Sequence, residues 1–182
     1  MKLHLQSRLS VLIKKIIFLL INLFILSTFL LCASCSVFSK NVLPNTSLKE
    51  DEGVLITKIR TNVKDSRILV HEKEETWPLI SIKPEAPEDL QVLRIKAATA
   101  FFSKIFMKDS FVWGPPNYFK IEAGKMTYVG DLVIEWAAEK EGIIARIIII
   151  DREEETMAEV RKKYPWLFTK FSYNKSIAGV EK

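Results

Sequence analysis

Thiol is almost missing from this chain. Its two cysteines, Cys32 and Cys35, stand close together near the start, and no cysteine follows them. A disulfide framework needs cysteines paired across a domain, so none is available here. A zinc centre needs several His or Cys ligands at defined spacing, and the only histidines are His4 and His71. No Gly-x-Ser-x-Gly elbow, phosphate-cradling loop or dinucleotide fingerprint occurs either. Acidic charge is absent before Cys35, while Lys2, Arg8, Lys14 and Lys15 all lie there.

That basic start is followed by an apolar core over 16–31, interrupted only by Asn22, Ser27 and Thr28, and then by the small residues Ala33 and Ser34. These are the three parts of an export signal, in order. The run Leu31-Cys32-Ala33-Ser34-Cys35 resembles a bacterial lipobox, at which Cys35 would be acylated and the leader 1–34 removed. Lipoboxes usually carry Leu three residues before the modified cysteine. Here Cys32 holds that place, and Leu31 lies one further back. Cys32 is the poorer acceptor, because bulky Leu31 would then sit directly before the cut. Two other readings stay open: an ordinary cleaved signal with Cys35 incidental, and an uncut inner-membrane anchor. The core is short for the roughly 20 residues of a membrane span, although 29–37 extends it.

Acylation at Cys35 implies membrane lipid as a partner. Each buried methylene contributes about 0.8 kcal/mol, and two or more chains hold a protein stably on a bilayer. Ser36 follows, where aspartate would mark retention in the inner membrane, so the class rule favours the outer membrane. Four of the 27 Lys and Arg lie in the leader, leaving 23 against 22 Asp and Glu. The near-neutral remainder gives no case for nucleic-acid binding, which needs a clustered basic surface. A remainder of about 150 residues buries roughly 70% of its unfolded surface, enough for a core without disulfides.

The organisation expected is a signal peptide over 1–34, a lipidated cysteine and tether over 35–53, and a β-rich globular domain over 54–182. The tether is polar, contains Pro44 and lacks periodicity. Short β-branched runs over 54–59, 67–70 and 77–82 predict strands, and 90–95 is read the same way. Residues 97–107 fit helix or strand equally. Gly114-Pro115-Pro116 breaks the chain. Two alternations over 118–134 flank Ala123-Gly124 and predict a β-hairpin, with Gly130 marking a bulge or close backbone approach in its second strand. Residues 143–150 predict a strand covered on both faces, since four isoleucines close it. One helix follows, with Asp151 as N-cap, Glu154 in capping-box position, and Met157, Val160 and Tyr164 as its apolar stripe. Pro165 ends it, and it is expected to cover the isoleucine strand. The fold class is mainly β: an antiparallel sheet or β-sandwich-like domain with one C-terminal helix, preceded by an N-terminal hydrophobic signal helix.

The block 119–132, the strand after it, and the acidic helix ending in Lys163-Tyr164-Pro165-Trp166-Leu167 resemble a group of poorly characterised bacterial lipoproteins. Those proteins share a phenylalanine strand, an alanine-glycine turn and a tyrosine-x-glycine-aspartate pattern. The resemblance covers about the last third of the chain and implies a β-sandwich-like fold on a lipid anchor. It carries no activity and no catalytic residues.

Candidate chemistry is thin. His71, followed by Glu72, Glu74 and Glu75, could be a metal or acid-base site, or a polar strand end entering a charged turn. Tyr128, Asp131 and Glu122 suggest paired carboxylates, which must converge on one cleft to do acid-base work; Asp131 beside Gly130 is otherwise a local cap. Phe101, Phe102, Phe106, Phe111 and Trp113, interleaved with Lys104, are either core or a contact patch, and Trp166, Phe168 and Phe171 pose the same choice. The expectation is a membrane-anchored envelope lipoprotein, non-enzymatic, acting as a binding or structural module with an envelope protein as possible partner. No cofactor, metal site or catalytic residue is assigned. The rivals are an envelope hydrolase using Glu122, Asp131 or His71, and the uncut single-span protein.

Overall fold

The structure is a computed structural model that describes residues 40–107, 110–139 and 142–179. The expected leader 1–34 and the expected acylation site Cys35 lie outside the described residues. In chain order the elements are β1 (Lys40–Asn41), β2 (Glu52–Thr61), β3 (Ser66–Glu72), β4 (Pro78–Ile82), β5 (Glu88–Lys96), β6 (Thr99–Met107), β7 (Ser110–Trp113), β8 (Tyr118–Lys120), β9 (Lys125–Tyr128), β10 (Asp131–Glu139) and β11 (Gly142–Ile150). Helices α1 (Glu153–Lys163) and α2 (Leu167–Lys170) follow, then β12 (Ser172–Lys175). Among the described residues, no helix is long and apolar enough to cross a membrane.

The strands form two sheets. One runs β1-β5-β2-β10-β11, with β9 also beside β2 and β12 beside β9; the other runs β4-β3-β6-β7, with β8 also on β6. Alternation sends one face of each strand inward. Leu55, Ile59, Leu93, Leu132 and Ile134 of the first sheet meet Ile68, Val70, Ile82, Phe102 and Ile105 of the second, all of them fully buried. At about 25 cal/mol per Å² of apolar surface removed from water, this sandwich core is the main source of stability. The fold is therefore mainly β, in two sandwiched sheets, with a small C-terminal helical segment.

Pairing departs from expectation in several places. The second sheet is antiparallel throughout. The first is mixed, because β2 runs parallel to β9 and β10, and β9 parallel to β12. Residues 118–134 do not form a hairpin: β8 pairs with β6 in the second sheet, while β9 pairs with β2 in the first. Ala123-Gly124 carries the chain across the sandwich. Gly130 does mark a bulge. Tyr128 stands opposite Ile56 and Leu132 opposite Ile59, so Thr57 and Lys58 span the same length as Val129, Gly130 and Asp131. Gly130 has φ +97°, and a Cβ there would lie 2.5 Å from Ile149 Cγ2. Thr57 Oγ1 donates to its carbonyl at 2.7 Å and closes the bulge.

The helix starts later than expected. Its N-cap is Arg152, with no side-chain cap bond, because the Asp151 carboxylate binds Lys175 Nζ at 2.7 Å and accepts only a 3.3 Å bond from the Glu153 N–H. Glu153, Glu154 and Glu155 in the first turn and Arg161, Lys162 and Lys163 in the last complement the helix dipole. Met157 and Val160 pack on Val54, Ile56, Val92 and Met126, so α1 covers the middle of the first sheet rather than the isoleucine strand. That strand, β11, is an edge, and its last four isoleucines are only partly buried. Part of the segment read as tether is structured: Val42 is buried, and its N–H donates to the Val92 carbonyl.

Candidate functional site

The three groups proposed for acid-base work lie in separate hydrogen-bond networks. Asp131 emerges from the Gly130 bulge fully buried. Its Oδ1 accepts from Tyr128 Oη at 3.0 Å and Thr156 Oγ1 at 2.8 Å, and its Oδ2 lies 3.5 Å from Arg60 Nε. Tyr128 Oη in turn accepts from the Arg152 N–H at 2.9 Å. Burial pushes the Asp131 carboxyl above its ordinary value, against the Thr156 and Tyr128 bonds and the Arg60 charge; burial likewise pushes the Tyr128 phenol up. This knot ties β2, β9, β10 and α1 together. Around it Arg60 binds Glu88 at 2.8 Å and Glu155 at 2.7 Å, and Lys58 binds Glu88 at 3.1 Å and Glu159 at 3.0 Å. With no exposed atom, Asp131 offers a substrate nothing to touch.

Glu122 sits in the turn between β8 and β9, where it accepts from Lys125 Nζ at 2.6 Å and Asn174 Nδ2 at 3.1 Å. His71 lies near the end of β3 on the outer face of the second sheet. Its Nδ1 hydrogen-bonds Ser103 Oγ, which also donates to the Leu69 carbonyl at 3.1 Å. Burial lowers the His71 pKa, and the Lys104 charge lowers it further. A Ser–His pair invites a nucleophile reading, but Ser103 is only 5% exposed. It is the extra residue where β6 slips register against Leu69 and Val70, so its hydroxyl serves the bulge. Among the described residues, no group of three or more His, Cys, Asp or Glu is placed to hold a metal ion. An open cleft of about 710 Å³ between the β2–β3 and β4–β5 loops is lined by Thr61, Val63, Asp65, Lys83 and Pro84, among others, and includes none of the three candidates.

The aromatic cluster divides by parity. Phe102 points into the core and packs on Phe119 at 5.2 Å between ring centroids. Phe101, Phe106, Phe111 and Trp113 point the other way, onto the outer face of the second sheet. Trp113 is 68% exposed, and Phe111 and Tyr118 are also exposed. The rings form two groups: Phe106–Phe111 at 5.7 Å continues to Trp113 at 5.6 Å from Phe111, and Phe101 pairs with Tyr118 at 5.4 Å. Cations interleave with them. Lys104 Nζ lies 4.7 Å from the Trp113 ring and 5.4 Å from Phe111, and Lys73 Nζ lies 5.4 Å from Tyr118. Exposed Arg67 and Lys120 flank the same face, and Trp77 stands free in the β3–β4 turn. Phe168 and Phe171 instead pack partly buried against the smaller core under α1, with Trp166 beside them.

Tyr118, Trp77, Lys73 and Lys120 were not legible as members of this face, because it is assembled from β3, β6, β7 and β8. No family model matches the chain, and no curated protein is detectably similar to it.

Proposed function

We propose that this chain is a membrane-anchored envelope lipoprotein, held through an acylated Cys35 on the outer membrane, whose β domain is a non-enzymatic binding module. It docks an envelope protein through the outer face of the second sheet. The observation that carries this reading is the connected set of outward rings around Phe111 and Trp113, with Lys104 lying over both. Contiguous exposed apolar surface on a soluble domain marks interaction sites, and Trp, Tyr and Phe are enriched where binding energy concentrates. The ring planes favour a protein over a flat glycan: Phe111 and Trp113 meet at 85°, Phe101 and Tyr118 at 66°, so the rings make no coplanar platform. Arg67, Lys73, Lys104 and Lys120 fit a partner with an apolar centre and an acidic rim. The separate placement of Glu122, Asp131 and His71 leaves the hydrolase rival without a converged site.

Two measurements test the two halves. Cys35→Ala should abolish incorporation of labelled palmitate and leave the leader uncut or cut elsewhere; undiminished labelling would refute the anchor. A photo-crosslinking residue in place of Trp113, used in intact cells, should give a discrete protein adduct that Phe111→Ala weakens. An adduct to lipid alone, or none, would overturn the docking face.

A further inference from the structure

The chain's sheet edges are not alike. β1 is two residues long, β12 and β7 four, β8 three, and β4 five, with Pro78 at its start and a register slip at Val70/His71 beside it. Short, proline-bearing or irregular edges are how folded proteins avoid pairing with other chains. β11 lacks every one of these devices. It runs nine residues, pairs with β10 without a register break from Glu139↔Gly142 to Asp131↔Ile150, and contains no proline or lysine. Among the described residues its backbone has no other strand partner, so one row of N–H and C=O groups faces outward. The side chains match that exposed ladder. Ile147 and Ile149 lean on the sandwich core, while Ile148 and Ile150 are partly buried on the opposite face. The strand's one charge, Arg146, already has Glu135 of β10 at 3.5 Å.

We infer that β11 is a strand-addition site occupied by β11 of a second copy, antiparallel about a two-fold axis, joining two first sheets into one. The occupant follows from parity and charge. Pairing across an axis perpendicular to the sheet places inward residues opposite inward ones, so Ile147 of one copy meets Ile147 or Ile149 of the other, and both cores continue across the seam. Arg146 opposite Arg146 is excluded by repulsion, since like charges directly across strands destabilise. The registers centred on Ile147 or Ile148 remain, with Arg146 opposite Ile148 or Ile150 and still beside its own Glu135. An acidic or strongly polar strand would lose the apolar match on both faces. The contact is isologous and closes at two copies.

Sedimentation equilibrium of the full chain in detergent tests the inference. The expected mass, after subtraction of bound detergent, is twice that of one chain at high concentration, falling to one chain on dilution. Ile148→Lys should restore the single-chain mass at every concentration. Ile148 is only partly buried and faces away from the sandwich core, so circular dichroism should be unchanged. Amide exchange provides a second readout that needs no variant: residues 145–150 of the wild type should exchange several-fold more slowly at high concentration than at low. A single-chain mass throughout would overturn the inference, as would a double mass that Ile148→Lys leaves intact. Protection of 145–150 that appears only when envelope extract is added would assign the edge to a different protein and equally overturn it. None of these outcomes depends on Trp113 or Cys35.

Discussion

Asp131 is where one atom's surroundings decide most. A carboxylate taken fully out of water is costly unless paired and hydrogen-bonded. Here two hydroxyls bond one oxygen, and the guanidinium stands at 3.5 Å from the other. Burial wins, and the folded pKa is raised. The folded chain therefore holds this proton more tightly than the unfolded chain does. Stability from Asp131 rises as pH falls through the folded value and is complete below the unfolded value of about 4. The opposite sign holds for Glu88, drawn down first by its Lys58 bond, and for Glu155, drawn down first by Arg60; these lose stability on acidification. Comparison with Asp131→Asn isolates the buried group, because the variant keeps an oxygen for Tyr128 and Thr156 but cannot titrate. Urea unfolding across a pH series should show wild type gaining on the variant as pH falls from neutral toward 4. A constant difference, or one of opposite slope, would mean the carboxylate carries no burial penalty.

Among elements, the sharpest constraint is the bulge between β9 and β10. Gly130→Ala forces a side chain into positive φ and against Ile149 at 2.5 Å, at a cost of roughly 2–4 kcal/mol. The thermal midpoint should fall accordingly, whereas Gly124→Ala, whose Cβ meets nothing within 4 Å although φ is +70°, should cost only the smaller backbone part. Gly130 was legible because a glycine inside an alternating run has few other reasons to be there. The Ala123-Gly124 turn misled for a physical reason: two alternations around a glycine look the same whether the chain turns back in one sheet or crosses to the other. Which happens depends on β2 and β6, both well upstream in the chain. Residues 97–107 show the same limit. Once they are a strand, neighbouring Phe101 and Phe102 must face opposite sides, and the inward and outward rings sort themselves. Without the strand, nothing in the run separates core from surface. The His71–Ser103 contact, 32 residues apart, has no local trace at all.

At the scale of the whole molecule, the sandwich gives each sheet one covered side, and the outer sides differ. The first sheet's outer side is closed by α1, α2 and the ion pairs of Lys58 and Arg60. Among the described residues, no helix lies on the second sheet's outer side, and Phe111, Trp113 and Tyr118 are exposed there. Exposed rings contribute little to folding, so their presence there calls for another use. A paired measurement separates the two roles on adjacent strands. Phe102→Ala empties a fully buried site and should cost about 3–5 kcal/mol of folding stability. Trp113→Ala removes a larger side chain but one already 68% exposed, and its cost should stay within about 0.5–1 kcal/mol, including the lost Lys104 and Phe111 contacts. If the proposed envelope docking role is correct, the ranking should invert in cells. The Trp113→Ala protein should fold, reach the membrane in normal amount and lose its partner adducts, the crosslinker now standing in place of Tyr118. A Trp113→Ala protein as unstable as Phe102→Ala would place that ring in the fold's own energetics, and the second sheet would then have no free face with which to bind.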